Sequence, residues 1–205
     1  MTIQLYGLGP SRSFRCLWAL EEAGLEYDFH NINIGRDDEN GGQHANYLKI
    51  NPQGKIPTLI DDEFVLTESA AIVNYIDAKA NSNLIPASAQ QRARYDELSS
   101  FVTTELEQPL WSNGKHRFAL PKEQRLEAML DVATWEYAKA VKAFDTLFPF
   151  DQYVLGNEFS MADVLVAHTV HWADRFKFDV PKKHLEYRDQ MFSRDAAKRA
   201  LSQIE

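Results

Sequence analysis

Up to about residue 80 the apolar residues come in short runs broken by Gly, Pro and Asn; beyond it they recur at helical spacing over long stretches. Ile3 and Leu5 alternate with Gln4 and Tyr6, the period of a half-buried strand. After the turn Gly7-Leu8-Gly9-Pro10, a helix is predicted to about Ala23. Phe14, Leu17 and Trp18 form one stripe of it, with Cys16, Ala19, Leu20 and Ala23 alongside. Ser11 and Ser13 both stand where an N-cap is needed, and Gly24 ends the helix. Glu26 to Ile34 reads as a second strand, followed by an irregular polar stretch from Gly35 to about Gln43. Ile56–Ile60 and Glu63–Leu66 predict a hairpin around Asp61-Asp62. Thr67 is then placed to cap a helix with Ala70, Ala71, Ile72, Tyr75 and Ile76 on its inner face. The order is βαβαββα, an α/β unit filling residues 1–80.

The remainder predicts helices only. One runs from about Ala89 to Asn113 with Leu98, Phe101, Val102 and Leu106 inward, is kinked at Pro109, and stops at Gly114. A second opens at Pro121 and reaches about Phe148. A third opens at Phe159-Ser160-Met161-Ala162-Asp163-Val164, where Ser160 and Asp163 make an acidic capping box flanked by Phe159 and Val164 at the staple positions. Shorter helices fill Lys182 to Gln203. The polar stretch 81–88 is the linker, and 89–205 is the all-helical part.

Composition narrows the function classes. The 205 residues are 44% hydrophobic and 25% charged, enough for a real core, and carry a formal charge of −8. Residues 1–80 hold six basic against twelve acidic residues, so the negative charge is concentrated there. An acidic surface repels phosphate backbones and anionic lipid, so neither nucleic acid nor membrane is an expected partner. No apolar run approaches the roughly 18 residues that span a bilayer, and Met1–Leu5 does not read as a signal peptide. The single cysteine, Cys16, allows no intrachain disulfide and no cysteine metal cluster. A soluble, cytoplasmic protein is the expectation.

Four separated pieces carry a resemblance. Tyr6-Gly7-x-x-x-Ser11 leads into Arg15-Cys16-Leu17-Trp18-Ala19-Leu20-Glu21-Glu22-Ala23-Gly24-Leu25. Asn51-Pro52-Gln53-Gly54-Lys55-Ile56-Pro57-Thr58-Leu59 follows, then Leu66-Thr67-Glu68-Ser69-Ala70-Ala71-Ile72, and last Gly156-Asn157-x-Phe159-Ser160-Met161-Ala162-Asp163. In order and spacing they resemble a cytosolic glutathione transferase of the serine-dependent kind, as in the theta and phi classes and many bacterial relatives. The resemblance implies a thioredoxin-like N-terminal domain, an all-α helical-bundle C-terminal domain and a homodimer. It implies glutathione as co-substrate, with no tightly bound cofactor, and a small apolar electrophile as the second substrate.

Such a site must favour S⁻ over SH. A free thiol has a pKa of about 8.5, and lowering it by about 2 requires ~2.7 kcal/mol of differential interaction. A hydroxyl donor and a helix N-terminus can supply that. The resemblance assigns the hydroxyl to Ser11, five residues after Tyr6 and four before Arg15. Ser13, in the same first turn, is the rival, and either serine is otherwise a plain cap. The resemblance makes the Ile56-Pro57 bond cis and pairs Ile56 N–H and C=O with the cysteinyl backbone of glutathione, like a short added strand. It assigns Glu68 and Ser69, at a helix N-terminus, to the γ-glutamyl group; the alternative is an ordinary first turn. Gln53 and Lys55 are candidates for the glycyl carboxylate, and His44 a weaker one. Trp111, Phe118 and Trp172 are candidates for an electrophile pocket, against the alternative of core packing.

Three features point away from other chemistries. Cys16 lies on an apolar flank of the first helix and reads as packing, and no cysteine occupies the place of Ser11, as disulfide-reducing relatives would require. The double-serine-cysteine signature of the isomerase-type zeta class is missing. His168 and His171 share a helix face, but no further ligand is spaced for a metal, so no metal is expected. Tyr6 belongs to its strand. A fold of this kind kept for binding without turnover, or for glutathione-dependent disulfide reduction, are the alternative readings.

Overall fold

The computed structural model describes residues 2–150 and 152–204. The chain begins β1 (Ile3–Gly7), α1 (Ser13–Ala23), β2 (Tyr27–Asn31), α2 (Ala45–Ile50), β3 (Thr58–Asp61), β4 (Phe64–Thr67) and α3 (Ser69–Ala80). The sheet order is β2-β1-β3-β4. β1 pairs in parallel with β2 and antiparallel with β3, and Leu5 is opposite Phe29 on one side and Leu59 on the other. Alternation sets this arrangement: Ile3, Leu5 and Gly7 are buried while Gln4 and Tyr6 are half-buried. α1 buries every residue from Ser13 to Leu20 and ends at Gly24, whose φ of 65° lets its N–H reach Leu20 O. α3 ends the same way on Asn81 at φ 50°.

The predicted second strand is shorter than expected, Tyr27–Asn31. Thr67 does not cap α3: it stays in β4, and the cap position falls to Glu68, whose side chain makes no capping bond.

The helical elements are α4 (Ala89–Phe101), a π turn (Val102–Leu106), α5 (Glu107–Gly114), a second π turn (Lys115–Ala119), a 3₁₀ turn (Lys122–Gln124), α6 (Ala128–Leu147), α7 (Met161–Arg175), α8 (Lys182–Phe192) and α9 (Asp195–Ser202). The disturbance expected at Pro109 takes the form of the π turn just before it. A proline cannot donate to the carbonyl four residues back, and the preceding turn widens, Glu107 N–H reaching Val102 O. Gly114 is not a stop. A Cβ there would lie 3.0 Å from the Phe176 ring, so its bare backbone serves close packing while the helical path continues to Ala119. Pro121 opens only the 3₁₀ turn, and α6 starts at Ala128, because Arg125 is extended and spends its guanidinium on the carbonyls of Leu120, Arg117 and Phe118. The capping box forms as read: Ser160 N–H donates to Asp163 Oδ2 at 2.8 Å.

The described residues divide into two compact units, one reaching Ile85 and resuming at Phe192, the other spanning Pro86–Met191. The C-terminal segment, assigned to the helical part from its periodicity, therefore packs with the first unit. The stripe Ala196, Ala197 and Ala200 is buried, and its small side chains let α9 lie close on α1.

Candidate active site

The two rival serines stand in different surroundings. Gly7 ends β1 with Ser13 pressed against it: a Cβ on Gly7 would meet Ser13 Cβ at 2.5 Å and Phe29 at 2.9 Å. Ser13 is fully buried, and its Oγ accepts from Leu8 N–H at 3.4 Å. Ser11 is half-buried. Its Oγ accepts from Ser13 N–H at 3.2 Å and can donate to Leu8 O at 2.7 Å or to Ser13 Oγ at 3.1 Å. Accepting the amide of the first helical residue polarises the Ser11 O–H, so it is the better donor for an incoming anion.

The 51–58 segment forms the second wall. The Ile56–Pro57 bond is cis. Among the described residues, no hydrogen bond is made to the N–H or C=O of Ile56. Asn51 organises the turn, accepting from Gln53 N–H at 3.1 Å. Gln53 and Lys55 are exposed on it. His44 is engaged elsewhere: it caps α2, its Nδ1 accepting from Asn46 N–H at 3.4 Å.

The third wall is the start of α3. Glu68 is exposed, with φ 66° and ψ 113°. Ser69 is buried, and its Oγ accepts from Arg15 Nη1 at 3.4 Å, which leaves the hydroxyl proton to be donated. The first intrahelical bond is Ile72 N–H to Glu68 O, so the amides of Ser69, Ala70 and Ala71 are the free donors of a helix N-terminus. Arg15, fully buried beneath Ser69, entered the sequence reading only as a spacing marker. Cys16 is fully buried with Sγ 3.9 Å from Ser69 O, and burial pushes its thiol far above the ordinary range, so it stays protonated and inert. Tyr6 donates to Gln4 Oε1 at 2.8 Å and stacks on His30 at 4.7 Å, a strand residue as read.

Comparison with known proteins bears on the family and the fold. The model of the glutathione S-transferase N-terminal domain matches residues 1–78, and that of the C-terminal domain matches residues 108–194. A probable maleylacetoacetate isomerase from Vibrio cholerae is 30% identical over 196 residues, covering 89% of this chain and 86% of its own. The chain belongs to the glutathione S-transferase family. A glutathione S-transferase from Triticum aestivum is 29% identical over 187 residues, covering 87% of this chain and 82% of its own. The structure of a glutathione transferase from Methylococcus capsulatus superposes with a TM-score of 0.85 at 26% identity, covering 99% of this chain and 98% of the other. A theta-class glutathione S-transferase from Xanthomonas axonopodis pv. citri, solved with glutathione bound, gives 0.78 at 26% identity, covering 98% and 97%. The thioredoxin-like domain followed by a helical domain is thus the glutathione S-transferase fold.

In the helical unit of this transferase-family chain the three candidate aromatics are not one cluster. Phe118 and Trp172 both pack edge-on against Phe176, at 5.9 and 5.7 Å, and Phe176 joins them although the sequence reading passed over it. Its place just after the end of α7 hid it from helical periodicity. Trp111 is 39% exposed and, among the described residues, makes no ring contact. His168 is buried and His171 half-buried, and among the described residues no three His, Cys, Asp or Glu side chains come together as metal ligands. No helix among the described residues is long and apolar enough to cross a membrane.

Proposed function

We propose that this chain is a serine-type glutathione transferase that joins the sulfur of glutathione to a small apolar electrophile. Glutathione occupies the thioredoxin-like domain, residues 1–80, ahead of the linker 81–88 and the helical domain. Its cysteinyl backbone pairs with Ile56 beside Pro57, its γ-glutamyl carboxylate meets the amides at Ser69, its ammonium meets Glu68, and its glycyl carboxylate meets Lys55 and Gln53. Ser11 O–H donates to the sulfur, the thiol proton leaves to solvent, and the thiolate attacks the electrophilic carbon as the leaving group departs with its electron pair. Phe118, Trp172 and Trp111 are the candidates for holding the electrophile. The chain acts as a cytoplasmic homodimer.

The observation that carries the assignment is the contrast between a half-buried Ser11 and a Ser13 sealed under Gly7. Titrating the thiolate absorbance of the enzyme–glutathione complex tests it. Ser11→Ala should leave affinity largely intact, raise the bound thiol's pKa by about 1–2 and slow neutral-pH turnover about 10–100-fold, a loss that shrinks as pH rises. Ser13→Ala should leave that titration unmoved and cost about 1 kcal/mol of stability. An exchange of the two results would exchange the roles. Binding without turnover on a panel of electrophiles would favour the non-catalytic reading.

A second reading, isomerisation of an activated double bond by reversible addition of the thiolate, is favoured by the 30% identity to the Vibrio cholerae protein. The missing double-serine-cysteine signature weighs against it. Assaying maleylacetoacetate beside the electrophile panel separates the two.

A further inference from the structure

We propose that the Tyr47 hydroxyl and the Asn51 amide are a positioning device for glutathione, turning the Lys55–Ile56 peptide so that the Ile56 N–H faces outward to the ligand. Lys55 O accepts from Tyr47 OH at 2.6 Å and from Asn51 Nδ2 at 2.8 Å, which fills both of its lone pairs. Both donors are anchored from below. Tyr47 OH lies 3.0 Å from Thr58 Oγ1, and Asn51 Nδ2 donates to that oxygen at 3.0 Å. Tyr47 is 4% exposed, Asn51 1% and Thr58 0%. The proton order is fixed by the inventory. Tyr47 gives its single hydrogen to Lys55 O, so it must accept from Thr58, and Thr58 accepts from Asn51. The ring of donors and acceptors closes with no proton left over.

The consequence lies in the peptide plane. Among the described residues the one cis bond is Ile56–Pro57, so the Lys55–Ile56 peptide is trans, with C=O and N–H pointing in opposite directions. Two buried donors pull the carbonyl inward; the Ile56 N–H therefore points out, and no protein group takes it among the described residues. Lys55 itself is exposed, and an exposed loop peptide would otherwise be free to rotate. The inference rests on the reading that the cysteinyl carbonyl of glutathione accepts from Ile56.

Calorimetry on the full chain tests it with three ligands: glutathione, γ-glutamylcysteinamide, which keeps the cysteinyl carbonyl, and γ-glutamylcysteamine, which lacks it. Tyr47→Phe should weaken glutathione and the amide about three- to tenfold, and leave the cysteamine derivative within twofold of wild type. The bound thiol's pKa and kcat at saturation should not move. Thr58→Val, which breaks the anchor but leaves both donors on Lys55 O, should lower Tm while keeping glutathione affinity within twofold. The proposal is overturned if Tyr47→Phe binds glutathione like wild type, if it weakens all three ligands alike, or if Thr58→Val matches it in affinity. Wild type that binds no glutathione would instead sink the functional reading on which this rests.

Discussion

Glu68 holds its backbone at φ 66°, ψ 113°, where glycine sits freely and a residue with a Cβ does not. Such a conformation costs of order 1–3 kcal/mol, and the flanking β4 and α3 must impose it. Strain and the proposed ligand contact meet in this one residue, and substitution separates them. Glu68→Gly should raise unfolding stability by about 1 kcal/mol, while weakening glutathione about tenfold through loss of the carboxylate. Glu68→Ala should show the same loss of affinity without the gain in stability. Denaturant melts and calorimetry check both, and a glycine variant less stable than the alanine one would mean the turn is unstrained. The pair Glu68-Ser69 was legible as a motif; its conformation was not. Propensity rules place the cap on Thr67, since they presume each residue adopts a favourable geometry. Arg15 escaped for a related reason: a charge in a helix reads as exposed, and the Ser69 hydroxyl to which it donates lies 54 positions away.

Between elements, one carboxylate ties the hairpin to the helix that follows it. Asp61, at the end of β3, accepts from the Tyr75 hydroxyl and from Lys79 Nζ at 2.6 Å, two side chains one turn apart on α3. The Lys79 ammonium first, and the Tyr75 hydroxyl second, hold its carboxyl below the usual range. A carboxyl whose folded pKa is depressed binds fewer protons when folded. Its contribution is complete above the unfolded value of about 3.9 and is lost as pH falls through the folded one. Asp61→Asn should thus lower Tm by about 3 °C at pH 7, and the gap from wild type should close below about pH 4. A gap that persists in acid would mean packing, not charge, ties β3 to α3. At this scale the sequence was most readable where burial alternates or recurs in period, as in β1, α1 and α7. It misled at Gly114 and Pro121, where residues that commonly end or begin helices were used for close approach to Phe176 and for a short turn. Periodicity carries no signal for either: the partner of Gly114 lies far off in the chain, and the turn after Pro121 is set by where Arg125 spends its guanidinium.

Over the whole chain, the last segment returns to the first helix. Phe192 packs on Phe14 and on Trp18, each at 5.4 Å between ring centres. Arg194 grips Glu22 with two parallel bonds of 2.6 and 2.9 Å, and Trp18 Nε1 donates to the same carboxylate at 3.0 Å. Arg199 donates to Glu21 Oε2 at 2.6 Å, and Tyr27 OH meets the other oxygen at 2.8 Å. Two cations from the chain's end thus neutralise adjacent acids in its most acidic region, on the helix that Ser11 precedes by two residues. The two pairs differ in burial: the side chains of Glu22 and Arg194 are 8% and 31% exposed, those of Glu21 and Arg199 16% and 55%. A forked, mostly desolvated pair leaves a costly orphan when one partner is removed, whereas water and salt screen an open one. Arg194→Met should therefore cost about 2–3 kcal/mol of unfolding stability, and Arg199→Met under about 1 kcal/mol. Adding Glu22→Gln to Arg194→Met should recover part of the loss, because the orphaned charge goes with it. Equal costs for the two arginines would show that burial does not rank these pairs. Full additivity in the double variant would show that Glu22 and Arg194 stabilise the unit separately rather than as a clamp.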